Sequence, residues 1–165
     1  MNRIFLLLFI FNILFSQDKG IDFYNNNNYE NARKFYQNVI DHRKDDLSAL
    51  YGLGVTAYKQ EDLEKAIEIL SKVKNSDNKE LASKAYYNLG NILKDQNQFE
   101  ESLKYYENAI KMNPNDNDSK INYELLKIEM QQKEDEQNSE GDRDQEKEEN
   151  EQNSEGSKEQ EKEEN

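Results

Sequence analysis

Few side chains in this sequence could do chemistry near neutral pH. His42 is the only histidine in the 165 residues, and histidine is the one side chain whose ordinary pKa lies close to neutrality. It stands among Asp41, Arg43 and Lys44, with no group at a spacing that would make it a base, so it reads as a surface histidine. The chain has no cysteine, which excludes disulfides, thiolate metal sites, a cysteine nucleophile and a lipidated cysteine. Asn115-Asp116-Asn117-Asp118 offers the oxygen ligands of a calcium loop, but the glycine and distal glutamate of such a loop are missing, so it reads as a turn and helix cap. The sequence contains no Gly-rich phosphate loop and no Gly-x-Ser-x-Gly turn. Acidic residues number 35 against 22 basic ones, a net charge of -13, the reverse of what binding phosphates requires. The expectation is a non-catalytic protein without metal, cofactor, nucleic acid or small-molecule substrate, leaving surface recognition as its chemistry. Ten tyrosines are the side chains best suited to that.

The elements that must position those tyrosines follow from dividing the chain. Ile4 to Phe15 is apolar except for Asn12, preceded by Arg3 and followed by Ser16. This is the plan of a secretory signal, too short for an ordinary membrane span. Residues 1–16 are therefore expected to export the protein to the periplasm or cell envelope, whether the segment is cleaved after Ser16 or kept as an anchor. At the other end, no Ala, Val, Ile, Leu, Met, Phe, Trp, Tyr or Cys follows Met130. Residues 133–165 carry 15 acidic and 5 basic side chains, net -10 of the chain's -13. A segment that cannot bury apolar surface has nothing to offset its ordering entropy, so a disordered acidic tail is expected. Within it Glu136 to Asn150 recurs as Glu151 to Asn165, with twelve of fifteen positions identical. The tail reads as a solvated spacer; the alternative is that it is the active element, binding cations or a basic partner from a structural platform.

Between these segments, residues 17–132 repeat. Gly20, Gly54 and Gly90 are 34 and 36 residues apart. Twelve residues after each comes a small residue (Ala32, Ala66, Ser102), and three before that a large apolar one (Tyr29, Leu63, Phe99). Four after the small residue stands Tyr36, Leu70 or Tyr106, and three further on Val39, Val73 or Ala109. Spacings of three, four and seven fall on one helix face, which must be buried. Glycine inside a helix costs roughly 1 kcal/mol against alanine, so its recurrence marks a place where a neighbouring helix comes too close for a side chain. The expectation is two antiparallel helices per repeat, stacked because a single pair cannot cover its own apolar stripe. Polar turns at Asn25-Asn26-Asn27-Asn28, Gln60-Glu61-Asp62 and Gln96-Asn97-Gln98 divide the pairs internally, and Pro114 ends the third. A capping helix is expected over 118–132, with Ile121, Leu125 and Ile128 on its buried face and Leu126 and Met130 left exposed.

The pattern resembles the tetratricopeptide repeat family, over units of about 17–46, 47–80 and 83–116. The third unit carries Tyr86, Leu89-Gly90, Phe99, Ser102, Tyr106, Ala109 and Pro114, and the second Leu50, Leu53-Gly54, Leu63, Ala66, Leu70 and Val73. The resemblance implies an all-α solenoid whose first helices line a groove for a protein or peptide. Carried onto this sequence, the groove positions are Tyr24, then Tyr51, Val55, Tyr58 and Lys59, then Tyr87, Asn91, Lys94 and Asp95. The family members that clamp a C-terminal carboxylate use basic residues where this sequence has Tyr51 and Tyr87, so the resemblance does not imply that specificity here. The layout of signal, three repeats and polar tail is also similar to the small periplasmic repeat proteins of bacterial aerotolerance (Bat) operons. That similarity implies assembly with membrane-anchored von Willebrand A-type proteins.

Overall fold

The computed structural model describes residues 19–136, so the expected export segment and most of the expected acidic tail, including its duplication, lie outside the described residues. Six helices follow one another as α1 (Lys19–Asn25), α2 (Tyr29–His42), α3 (Leu47–Lys59), α4 (Leu63–Val73), α5 (Lys79–Asp95) and α6 (Phe99–Met112). A seventh, α7, runs over 117–136, and the described residues contain no strand. Consecutive helices pack as α1 on α2, α3 on α4 and α5 on α6, and each pair stacks on the next. The first helices of the pairs also touch, α1 on α3 and α3 on α5, so three helices share one face. This is the α-solenoid that the periodicity requires.

The recurring glycines make the pairs possible. A Cβ on Gly54 would lie 2.9 Å from Leu70 Cδ2, and one on Gly90 2.7 Å from Tyr106 Cδ1; one on Gly20 would run into the Tyr36 ring. Each glycine thus faces the residue sixteen positions later, across its own hairpin. The small residue at the approach point is fully buried in every copy: Ala32, Ala66 and Ser102. In the third pair it does more, because Ser102 Oγ donates to the Gly90 carbonyl at 2.8 Å. Two buried clusters result, one around Leu70, Val73, Leu89 and Ile92 and one around Tyr36, Ala49, Leu53 and Ile69. Burying each such aliphatic side chain contributes on the order of 1.5–3 kcal/mol.

The turns inside the pairs are three copies of one device. Asn27, Glu61 and Asn97 have φ of 57°, 62° and 59°, each seven residues after its glycine. The next residue's N–H closes back on a carbonyl five positions earlier: Asn28 on Phe23 at 2.8 Å, Asp62 on Ala57 at 3.0 Å, Gln98 on Leu93 at 2.9 Å. That left-handed closure satisfies the last carbonyls of the first helix. The residue that closes it then caps the second helix in two of the three pairs, Asn28 accepting from the Asn31 N–H and Asp62 from the Lys65 N–H, both at 3.3 Å. Asp46, Asn78 and Asp116 cap α3, α5 and α7 in the same way. Asp116 therefore serves as a cap, and among the described residues no acidic or histidine cluster could hold a metal ion.

The described residues fall into two units, divided between Tyr123 and Glu124, and the division falls within α7. Two expectations for this helix are corrected. Its inward face is not the Ile121, Leu125 and Ile128 stripe, which is 55%, 56% and 51% exposed; Leu126, expected outside, is fully buried at 0%. Polar anchoring holds its first turns: Ser119 is fully buried with its Oγ donating to Asp116 at 2.7 Å, and Asn122 is bonded to Tyr87 and Asn91. The helix also runs to residue 136 rather than 132, past the expected start of the tail, with Lys133 paired to Glu129 at 2.9 Å in its last turns. Among the described residues no helix is long and apolar enough to cross a membrane.

Candidate functional site

The face shared by α1, α3 and α5 holds the expected groove residues in two unlike arrangements. At its start a pocket of about 320 Å³ opens among the three helices, lined by Tyr24, Tyr51 and Val55 together with Ser48, Lys84 and Asn88. Ile21, Leu81, Gly52 and the Tyr36 ring complete the wall. Asn88 Nδ2 donates to Tyr51 Oη at 3.1 Å and to the Lys84 carbonyl at 2.8 Å. Burial raises the Tyr51 pKa above its usual value, partly opposed by the Asn88 bond, and burial raises that of Tyr24 as well. Both hydroxyls therefore keep their protons at neutral pH and have them available to donate.

Further along, the face is closed by its own hydrogen bonds. Tyr106 Oη donates to Asn91 Oδ1 at 2.7 Å, and Asn122 Nδ2 donates to the same oxygen at 3.0 Å and to Tyr87 Oη at 3.2 Å. Tyr87 and Asn91 are thus tied to α6 and α7 rather than left open. Tyr58 Oη donates to Asp95 Oδ2 at 2.5 Å across the α3–α5 seam. Burial first, and Asp95 second, push the Tyr58 pKa well above the ordinary tyrosine value. Lys59 is exposed, with its Nζ 5.9 Å from the Tyr58 ring centre, and Lys94 is half-buried on α5. Val55 belongs to the buried core as well as to the pocket wall. Away from this face His42 ends α2, exposed, with its Nδ1 2.7 Å from the Asn38 carbonyl oxygen.

Several residues that shape this face were not singled out from sequence. Gly52 is one: a Cβ there would run into Tyr36, the same ring that Gly20 faces, so Tyr36 is held between glycines of two successive first helices. The signal was present, because Gly52 and Gly54 lie two apart and so point to nearly opposite sides of one helix. Ser48, Lys84 and Asn88 could have been found as well. Ser48 lies three residues before Tyr51 on the same helical face, and Lys84 and Asn88 stand 36 residues after Ser48 and Gly52, the offset between Gly54 and Gly90. Asn122 stands 34 residues after Asn88, the offset between Gly20 and Gly54, and Asp116 is read from sequence as a turn and cap; only its bond to Ser83, 33 residues away, has no local signal.

Comparisons with known proteins agree with this architecture. Two family models described as tetratricopeptide repeat match residues 18–80 and 83–116. The first such domain of human RPAP3 superposes with a TM-score of 0.63 at 17% identity, covering 72% of this chain and 91% of that one. The Sgt2 domain from Aspergillus fumigatus gives 0.63 at 20%, covering 70% and 77%. The second domain of human RPAP3, in complex with the HSP70 peptide SGPTIEEVD, gives 0.58 at 18%, covering 67% and 90%. No curated protein matches the chain. Sixteen-residue glycine contacts, left-handed turns at fixed offsets and matching family models over 18–80 and 83–116 lead to one conclusion: the chain carries tetratricopeptide repeats.

Proposed function

We propose that this protein is a non-catalytic adaptor that holds a segment of a partner protein against the face formed by α1, α3 and α5. The observation that carries the reading is the pocket of about 320 Å³ opening among those three helices, walled by Tyr24, Tyr51 and Val55. Tyrosine suits such a wall because it presents a large, rigid face and a hydroxyl that can meet a backbone group. The peptide held by the second human RPAP3 domain is a precedent for the mode on this fold. The adaptor acts in the cell envelope, a reading supported by the apolar run Ile4 to Phe15 behind Arg3. Its partner there is a membrane-associated protein, within a Bat-type complex with von Willebrand A-type proteins. That last step is supported by the order of segments alone: apolar leader, three repeats, acidic tail.

Photo-crosslinkers at Lys59 and Lys94, which border the face, test the reading in envelope fractions. The expected result is a crosslinked membrane-associated protein whose yield falls about tenfold with Tyr24→Ala and Tyr51→Ala combined, while the helical circular dichroism remains. Loss of association on removing residues 137–165, with the tyrosine changes having no effect, would instead make the acidic tail the binding element.

A further inference from the structure

The pocket between α1, α3 and α5 offers a donor and an acceptor that its own walls leave unused. Asn88 uses both amide hydrogens, on Tyr51 Oη and the Lys84 carbonyl, so its Oδ1 remains free to accept. Tyr51 Oη accepts from Asn88 at 3.1 Å and retains its own proton to donate. A donor and an acceptor side by side match a single peptide unit of an extended chain, whose carbonyl accepts while an N–H donates. Around them the wall is apolar, from Ile21, Val55, Leu81 and the Tyr36 ring. Lys84, the one charged residue of the wall, already has a partner in Glu80 at 2.7 Å, so the pocket presents no unpaired charge that calls for a chain terminus. About 320 Å³ is at the small end of ligand sites, room for one large side chain with its flanking backbone.

We propose that this pocket anchors an internal stretch of a partner polypeptide through one large aliphatic or aromatic side chain, with Tyr51 and Asn88 reading the peptide unit beside it. The inference rests on the adaptor reading above and narrows it from a groove to one anchor and one ligand class. The ligand need not be a chain end, because the bonds the wall offers are those of a peptide unit, which an internal segment supplies.

The test uses the full chain and N-acetylated, C-amidated nonapeptides of Gly and Ser with a single central Leu, Met or Phe, read by fluorescence polarisation. Peptides with the central apolar residue should bind, and replacing it by Ala should weaken binding by about tenfold or more. Ser48→Trp, which fills the pocket from an exposed rim position, should weaken it comparably while the circular dichroism is unchanged. Tyr51→Phe, which removes only the hydroxyl, should weaken it about fivefold. Equal binding of the central-Ala peptide, a requirement for a free C-terminal carboxylate, or indifference to Ser48→Trp would each overturn the proposal. So would sedimentation showing a dimer of this chain that Ser48→Trp dissociates, since a second copy would then fill the pocket. Crosslinks from Lys59 and Lys94 report on the broader adaptor reading separately: their persistence after any of these failures removes the anchor and leaves the face.

Discussion

In the second helix pair Gly54 faces Leu70 beside Ala66; in the third, Gly90 faces Tyr106 beside Ser102. The spacing is the same and the filling is not. In the second pair Gly54 meets the aliphatic atoms of Leu70 and Ile69, whereas the third adds Ser102 Oγ on the Gly90 carbonyl and Tyr106 Oη on Asn91. The difference extends to the shared face. Tyr51, in the second pair, accepts from Asn88 and lines the pocket, while Tyr87, at the equivalent place in the third, accepts from Asn122, which also holds Asn91. Identical backbone register therefore fixes where a tyrosine stands and that an asparagine further along the chain meets its hydroxyl, and the residues around the two decide whether space is left beside them.

Changes in the third pair should test this difference. Tyr106→Ala removes a fully buried ring and should cost about 3–5 kcal/mol in chemical denaturation, far beyond the loss of its single hydrogen bond. Asn122→Ala removes both bonds that close the face over Tyr87 and Asn91; it should cost about 1–2 kcal/mol and increase the access of solvent quenchers of tyrosine fluorescence. The internal turns offer a comparison with opposite sign. Glu61 occupies the left-handed conformation that Asn97 occupies one repeat later. Glu61→Gly should therefore stabilise the protein by about 1 kcal/mol, while Asn97→Gly should change little. The smallest effect concerns pH. Tyr58 binds its proton more tightly folded than unfolded, because burial and Asp95 raise its pKa. Its contribution is fully present below about pH 10, the unfolded value, and is lost as pH rises through the higher folded value. Tyr58→Phe should flatten the alkaline decline in melting temperature, and an unchanged decline would show that the hydroxyl is not responsible.

The fold was legible because its determinants are local and recur. The glycine, the small residue and the large residue sixteen positions on keep their register in all three copies, and any one copy would have been weak alone. The positions of Tyr24, Tyr51 and Tyr87 on the first helices were legible on the same basis. What each tyrosine does was not, because that depends on partners 35 and 37 residues away, Asn122 for Tyr87 and Asn88 for Tyr51. The last helix shows the limit most clearly. Ile121, Leu125 and Ile128 form the better apolar stripe by spacing, yet Ser119 and Asn122 hold its first turns through hydrogen bonds, and the stripe faces water. Apolar periodicity locates a buried face when nothing competes, and anchored polar groups can compete.

The central claim is that each repeat exists because its glycine makes room for one side chain across the hairpin. A double-mutant cycle on Gly54 and Leu70, followed by urea denaturation, measures this directly. Gly54→Ala should destabilise the wild-type protein by about 2 kcal/mol through overpacking, yet have almost no cost in a Leu70→Ala background, where the Leu70 atoms that its Cβ would meet at 2.9 Å are gone. Equal costs in the two backgrounds would mean that the glycine is there for some other reason, and the account of the fold would fail.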